Sequence, residues 1–176
     1  MFKSNCTKRV NFQLFIILII TFLAAKTGLV FGACDFDWKP GAGLPGLNGS
    51  VEVLATWDPD GAGPEPNLLI AGGHFTITGS SEASNIAAWD GNSWQPLGSG
   101  MNDTVFALTV SDSNLIAGGY FTKAGGVDAN YIARWDGTNW QPLDSGMNGE
   151  VFALTVYDSN LIAGGNSTKA GGVDCN

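Results

Sequence analysis

Apolar and polar positions in this chain change over in short runs of period two, the spacing of a half-buried strand. From Val105 to Val110, Val105, Ala107 and Thr109 alternate with Phe106, Leu108 and Val110. Asp112, Ser113 and Asn114 follow as a tight turn, and Leu115 to Phe121 reads as a second strand crossed by Gly118 and Gly119. A Gly-rich loop over Ala124–Asp128 leads to a third strand, Tyr131 to Trp135. Asp136 and Gly137 then open a hairpin turn, and Trp140 to Leu143 is the fourth strand. Pro142 suits an outer edge there, because proline cannot donate to a ladder. Hardly a window carries an apolar period of 3.6, and 25 glycines are too many for helices.

This four-strand pattern recurs. The stretch from Val105 and the stretch from Val151 lie 46 residues apart and agree at 22 of 26 positions. The same offset of 46 relates Leu69–Gly73 to Leu115–Gly119, Trp89 to Trp135, Trp94 to Trp140 and Met101 to Met147. The earliest full copy is eight residues longer, with the excess in Asp58–Asn67, whose Pro, Gly and acids read as an enlarged surface turn. Trp38, Lys39 and Pro40 followed by Leu47, Asn48 and Gly49 match Trp140–Pro142 followed by Met147–Gly149.

A period in the forties belongs either to propeller blades or to helical arrays, and the strand pattern excludes the arrays. A small four-stranded sheet cannot cover its own faces and needs neighbours on both sides. Radial stacking satisfies that need and limits exposed edges. Trp89, Trp94, Trp135 and Trp140 would pack between blades, as would the pairs Gly72 and Gly73, Gly118 and Gly119, and Gly164 and Gly165. The cadence IAGGYFTKAGGVDANYIARWDGTNWQPL resembles kelch and galactose-oxidase-type repeats. It is also similar to tandem blades of large secreted bacterial proteins and to the propeller of fungal cortical polarity markers. That resemblance implies an all-β, partial β-propeller of kelch-like four-stranded blades, about 2.75 of them. The expected divisions are 34–50 (last strand of a preceding blade), 51–104 and 105–150 (blades) and 151–176 (a half blade). Eleven strands fall short of the roughly sixteen of the smallest closed ring, so a fragment of a longer protein is expected, with self-assembly of incomplete rings as the other reading.

Residues 1–33 have a different character. Lys3, Lys8 and Arg9 precede an apolar run from Phe12 to Ala25, and Gly28, Gly32 and Ala33 follow. These are the parts of a secretory signal peptide. A retained anchor and a lipidated Cys34 are the membrane-bound alternatives. The signal changes the charge reading. The whole chain carries −8, but all sixteen acids lie at or after Asp35 and only four bases do, a net −12. Such a surface repels phosphate backbones and anionic headgroups, which argues against nucleic-acid partners. An oxidising exterior would permit a Cys34–Cys175 disulfide, although Ala129 holds the place of Cys175 one repeat earlier.

Candidate chemistry is sparse. His74 is the sole histidine, and Tyr120 and Asn166 replace it in the other copies. Without a second histidine or a Cys-x-x-Cys, no usual transition-metal site can be assembled, and the copper chemistry of galactose oxidase does not carry over. The Gly pairs precede no helix, so they lack a phosphate-cradling geometry. Asp58, Asp60 and Gly61 resemble the start of a calcium loop but lack its distal Glu. Asp112 and Asp158, like Asp128 and Asp174, recur identically, whereas catalysis usually breaks symmetry at one repeat. No cofactor is expected. Asn48, Asn102 and Asn166 head glycosylation sequons, relevant only in a eukaryotic secretory pathway. The last copy has Asn166 and Ser167 where its predecessor has Tyr120 and Phe121, which suggests either a decaying copy or a strand with nothing packed on it. These features lead to the expectation of a non-catalytic extracellular binding or scaffold module with an unidentified ligand or protein partner. The alternatives are a piece of a carbohydrate-active hydrolase or lyase with its site on other blades, and a plain spacer.

Overall fold

A computed structural model describes residues 46–61, 63–78 and 81–175. The expected signal segment, Cys34 and the strand expected at Trp38 lie outside them. The described residues are all β, and no helix among them is long and apolar enough to cross a membrane.

The first unit contains β1 (Ser50–Trp57), β2 (Leu68–His74), β3 (Ile77–Thr78), β4 (Ser81–Glu82), β5 (Ile86–Trp89) and β6 (Trp94–Pro96). The second repeats it with β7 (Val105–Ser111), β8 (Asn114–Gly119), β9 (Lys123–Ala124), β10 (Val127–Asp128), β11 (Ile132–Trp135) and β12 (Trp140–Pro142). The third has β13 (Val151–Tyr157), β14 (Asn160–Gly165), β15 (Lys169–Ala170) and β16 (Val173–Asp174). Two four-stranded antiparallel sheets result, ordered β1-β2-β5-β6 and β7-β8-β11-β12, with β13-β14 as a two-stranded sheet. The four long strands read from the sequence of the second unit fall where expected. The Gly-rich loop does not stay a loop: β9 and β10 pair within it as a two-residue hairpin.

The turns follow from local chemistry. Asp112 and Ser113 both have positive φ (48° and 62°), as do Asp158 and Ser159, giving the mirror-image turn that matches strand twist. At the Asp-Gly turns, Gly91 and Gly137 take φ near +100°, open to glycine without strain. The Asp90 carboxylate accepts from the Asn92 and Ser93 amides at 2.7 and 2.8 Å, and Asp136 accepts from Thr138 and Asn139 at 2.9 and 2.8 Å. These amides favour the charged form. Ser93 and then Asn92 hold the Asp90 carboxyl below its ordinary 3.8, and Asn139 and then Thr138 do the same for Asp136. A depressed folded pKa adds stability that is complete above the unfolded value and disappears as pH falls through the folded one. The stability gap between wild type and an Asp90→Asn/Asp136→Asn variant should therefore stay constant above pH 3.8 and narrow below it. Thermal unfolding across that range is the measurement, and a gap that ignores pH would refute the assignment.

Stacking of the units is written in the glycines. A Cβ on Gly72 would meet the Val105 Cγ1 of the next unit at 2.7 Å, and one on Gly118 would meet the Val151 Cγ1 at 2.5 Å. The first glycine of the first two pairs is thus the seat of the following unit's valine. The second serves its own sheet: Cβ atoms on Gly73, Gly119 and Gly165 would lie 2.1, 2.1 and 1.9 Å from the carbonyl oxygens of Ser50, Thr104 and Glu150. That close approach accompanies a β-bulge at Val51/Val53, Val105/Ala107 and Val151/Ala153. The core runs between units and includes Ile70, Met101, Val105, Leu115, Phe121, Trp135 and Trp140.

Loops lock adjacent units. Met101 accepts no exposure to speak of; its amide donates to Ser84 O at 2.9 Å, and it bridges Ala124 of the next unit's small hairpin. Beside it the Asn102 Oδ1 accepts from the Thr122 and Lys123 amides, and its Nδ2 donates to Thr122 Oγ1. Asn148 repeats all three contacts with Thr168 and Lys169, and Asn48 makes the pair to Thr76. This Asn clasp explains why Leu47–Gly49 matches Met147–Gly149.

Candidate binding surface

The bulges re-aim side chains that regular strands would have placed on a sheet face. Phe106 is the extra residue at the bulge of β7, and Phe152 is its counterpart in β13. With Tyr120, directly after β8, they form a mutual edge-to-face cluster. Ring centroids are 5.2 Å apart for Phe106–Tyr120, 5.6 Å for Phe106–Phe152 and 6.0 Å for Tyr120–Phe152. Such geometry suits aromatic quadrupoles. Tyr120 and Phe152 are each 43% exposed and Phe106 is half-buried. Three rings held by strands therefore stand partly in solvent.

Polar residues hold the position of Tyr120 in the other copies. His74, at the position of Tyr120, has its Nδ1 3.3 Å from Thr104 Oγ1, and that hydroxyl donates to Asp103 Oδ1 at 3.2 Å. At the other copy Asn166 Nδ2 donates to Glu150 Oε2 at 3.2 Å. Sequence reading passed over Phe106 and Phe152 because a bulge leaves no mark in an alternating pattern. The available signal was the contrast between copies, Glu52, Phe106 and Phe152 at one position and His74, Tyr120 and Asn166 at another.

The other singled-out residues fall apart from this surface. Trp89 faces Trp94 across its hairpin at 5.5 Å, and Trp135 faces Trp140 at 5.3 Å. Asp58 and Asp60 accept from the backbone of their own turn, at Asp60 N and Glu65 N. Asp128 and Asp174 pair with Lys123 and Lys169 at 2.6 Å on the surface, where such pairs add little. Cys175 is exposed, and its expected partner Cys34 lies outside the described residues. The three sequon asparagines are all exposed, with the side-chain amides of Asn48 and Asn102 committed to the clasp and that of Asn166 donating to Glu150. Among the described residues no three His, Cys, Asp or Glu side chains converge to hold a metal ion. No family model, no curated protein and no solved structure matches the chain.

Proposed function

We propose that the stacked units are kelch-like blades of a partial β-propeller, and that the exported chain is a non-catalytic extracellular binding or scaffold module. One observation carries the binding reading: Phe106, Tyr120 and Phe152 form a rigid, partly exposed aromatic platform. Aromatic anchors on a fixed scaffold are the usual energetic centre of a recognition surface. Ring faces and edges suit flat or ring-shaped groups, whether sugar, aromatic or guanidinium. The net −12 of the mature chain favours neutral and cationic partners over anionic ones.

The test is an array of immobilised oligosaccharides and of Trp- and Arg-containing peptides, probed with wild type and a Phe106→Ser/Tyr120→Ser/Phe152→Ser variant. Wild type should retain at least one of these classes, and the variant should bind it at least about tenfold more weakly, the scale of losing an aromatic anchor. Matching profiles for the two proteins would sink the platform.

A further inference from the structure

The aromatic platform sits in an unbalanced field of charge. Fourteen acids but only three bases, Lys123, Arg134 and Lys169, lie among the described residues. All three bases are engaged. Lys123 and Lys169 pair with Asp128 and Asp174 at 2.6 Å, and Arg134 Nη2 donates to Gln141, whose amide donates to Asp136. Two acids adjoin the ring positions along the chain. Glu150 stands two residues before Phe152, and Asp103 precedes Thr104, whose carbonyl accepts from the Tyr120 amide at 2.9 Å. Among the described residues Glu150 accepts from Asn166 Nδ2, and Asp103 accepts from the Thr104 amide and hydroxyl through one oxygen. A carboxylate offers about four acceptor sites, so both keep capacity for a further donor. The rings keep free surface too. Their planes meet at 75°, 66° and 88°, and three edge-to-face contacts engage at most three of the six ring faces. Exposure here belongs to the position and not to the shorter third unit. His74 holds the Tyr120 position one unit earlier, and it is exposed although its own unit and the next both have complete four-stranded sheets.

We propose that the cluster of Phe106, Tyr120 and Phe152 takes the guanidinium of an arginine in a basic, extended partner peptide, with Asp103 and Glu150 as the counter-charge. This inference rests on the binding reading above and narrows it to one ligand chemistry. A cation within about 6 Å of a ring centroid is drawn to the negative ring face. Guanidinium suits that contact better than ammonium, because it is planar, stacks on aromatic faces and is more weakly hydrated. The surrounding acids raise the local concentration of such a peptide and repel an acidic one, whereas a neutral sugar gains nothing from the field. With every described base already engaged, the counter-cation for these acids has to come from outside the described residues.

The test is fluorescence anisotropy of the full chain with a labelled peptide of three Gly-Arg-Gly repeats. Two control peptides carry lysine, with the same charge, or citrulline, with the same planar shape and no charge, in place of arginine. The arginine peptide should bind saturably, at least about threefold tighter than the lysine peptide and at least about tenfold tighter than the citrulline one. These comparisons use the wild-type chain alone, so they stand even where a variant fails to fold. Phe106→Ser/Tyr120→Ser/Phe152→Ser should bring arginine binding down to the lysine level and leave most of the lysine peptide's binding, which diffuse charge carries. Equal binding of the arginine peptide and either control would overturn the proposal. If the triple variant then still lost an oligosaccharide or a tryptophan peptide that wild type binds, the platform would stand and only its arginine assignment would fall. An arginine preference that survived the three serines would overturn the proposal as well, by placing the site away from the rings.

Discussion

Alanine at Gly118 should destabilise the protein by about 1–3 kcal/mol, the usual cost of overfilling a packed interior, while alanine at Gly164 should cost nothing. The two glycines are the same residue of the repeat and differ only in what lies across from them. At Gly118 a new Cβ would meet Val151 Cγ1 at 2.5 Å, Val151 Cβ at 3.0 Å and Leu154 Cδ1 at 3.2 Å. Val151 has no exposed surface and cannot swing away without moving β13. At Gly164 the nearest atom is the Ala153 Cβ at 3.8 Å, an ordinary contact. Alanine there restricts the unfolded chain, an effect worth about 0.4–1 kcal/mol in favour of the fold. Denaturant midpoints of the two variants and wild type, read with unchanged slopes, decide the matter. Equal losses at both sites would mean that Gly118 serves its own sheet and not the neighbouring unit.

That contrast also marks how far the sequence could be read. The offset of 46 and the alternation of Val105–Val110 were enough to locate the long strands, because a two-residue period and a hairpin turn are local signals. The division of labour within each Gly pair was not legible. Gly118 and Gly119 are adjacent and chemically identical, yet one faces Val151 and the other the Thr104 carbonyl, a distinction made by the pleat and the bulge. The small hairpin β9–β10 was hidden for a different reason. Two-residue strands have no period, and pairing of Lys123–Ala124 with Val127–Asp128 is supported from outside by Met101 of the previous unit. The aromatic platform shares this difficulty, since Phe106 and Phe152 leave the sheet face only because of the bulge. The clasp residues Asn48, Asn102 and Asn148 were visible as a recurring Asn, but their role needed the distance to Thr76, Thr122 and Thr168.

The largest single loss is expected at Phe121. Its side chain is completely buried, 0% exposed, and belongs to the cluster that contains Met101, Ala124, Ala129, Ala133 and Trp140. Phe121→Ala should cost about 3–5 kcal/mol, the transfer of a ring plus the cavity left among neighbours that cannot all collapse. Stabilities of about 5–15 kcal/mol make that about a fifth or more of the total. The third unit supplies the control. Ser167 replaces the phenylalanine, and its hydroxyl lies 3.3 Å from Asn148 Oδ1 and the carbonyl oxygens of Gly149 and Lys169. Among the described residues no strands equivalent to β11 and β12 cover it, so Ala133 and Trp140 of the Phe121 cluster have no counterpart there. Ser167→Phe should therefore bring no comparable gain. If it stabilised the chain by several kcal/mol, or if Phe121→Ala were mild, burial of this position would not depend on the outer strands, and the polar replacement in the last copy would need another cause.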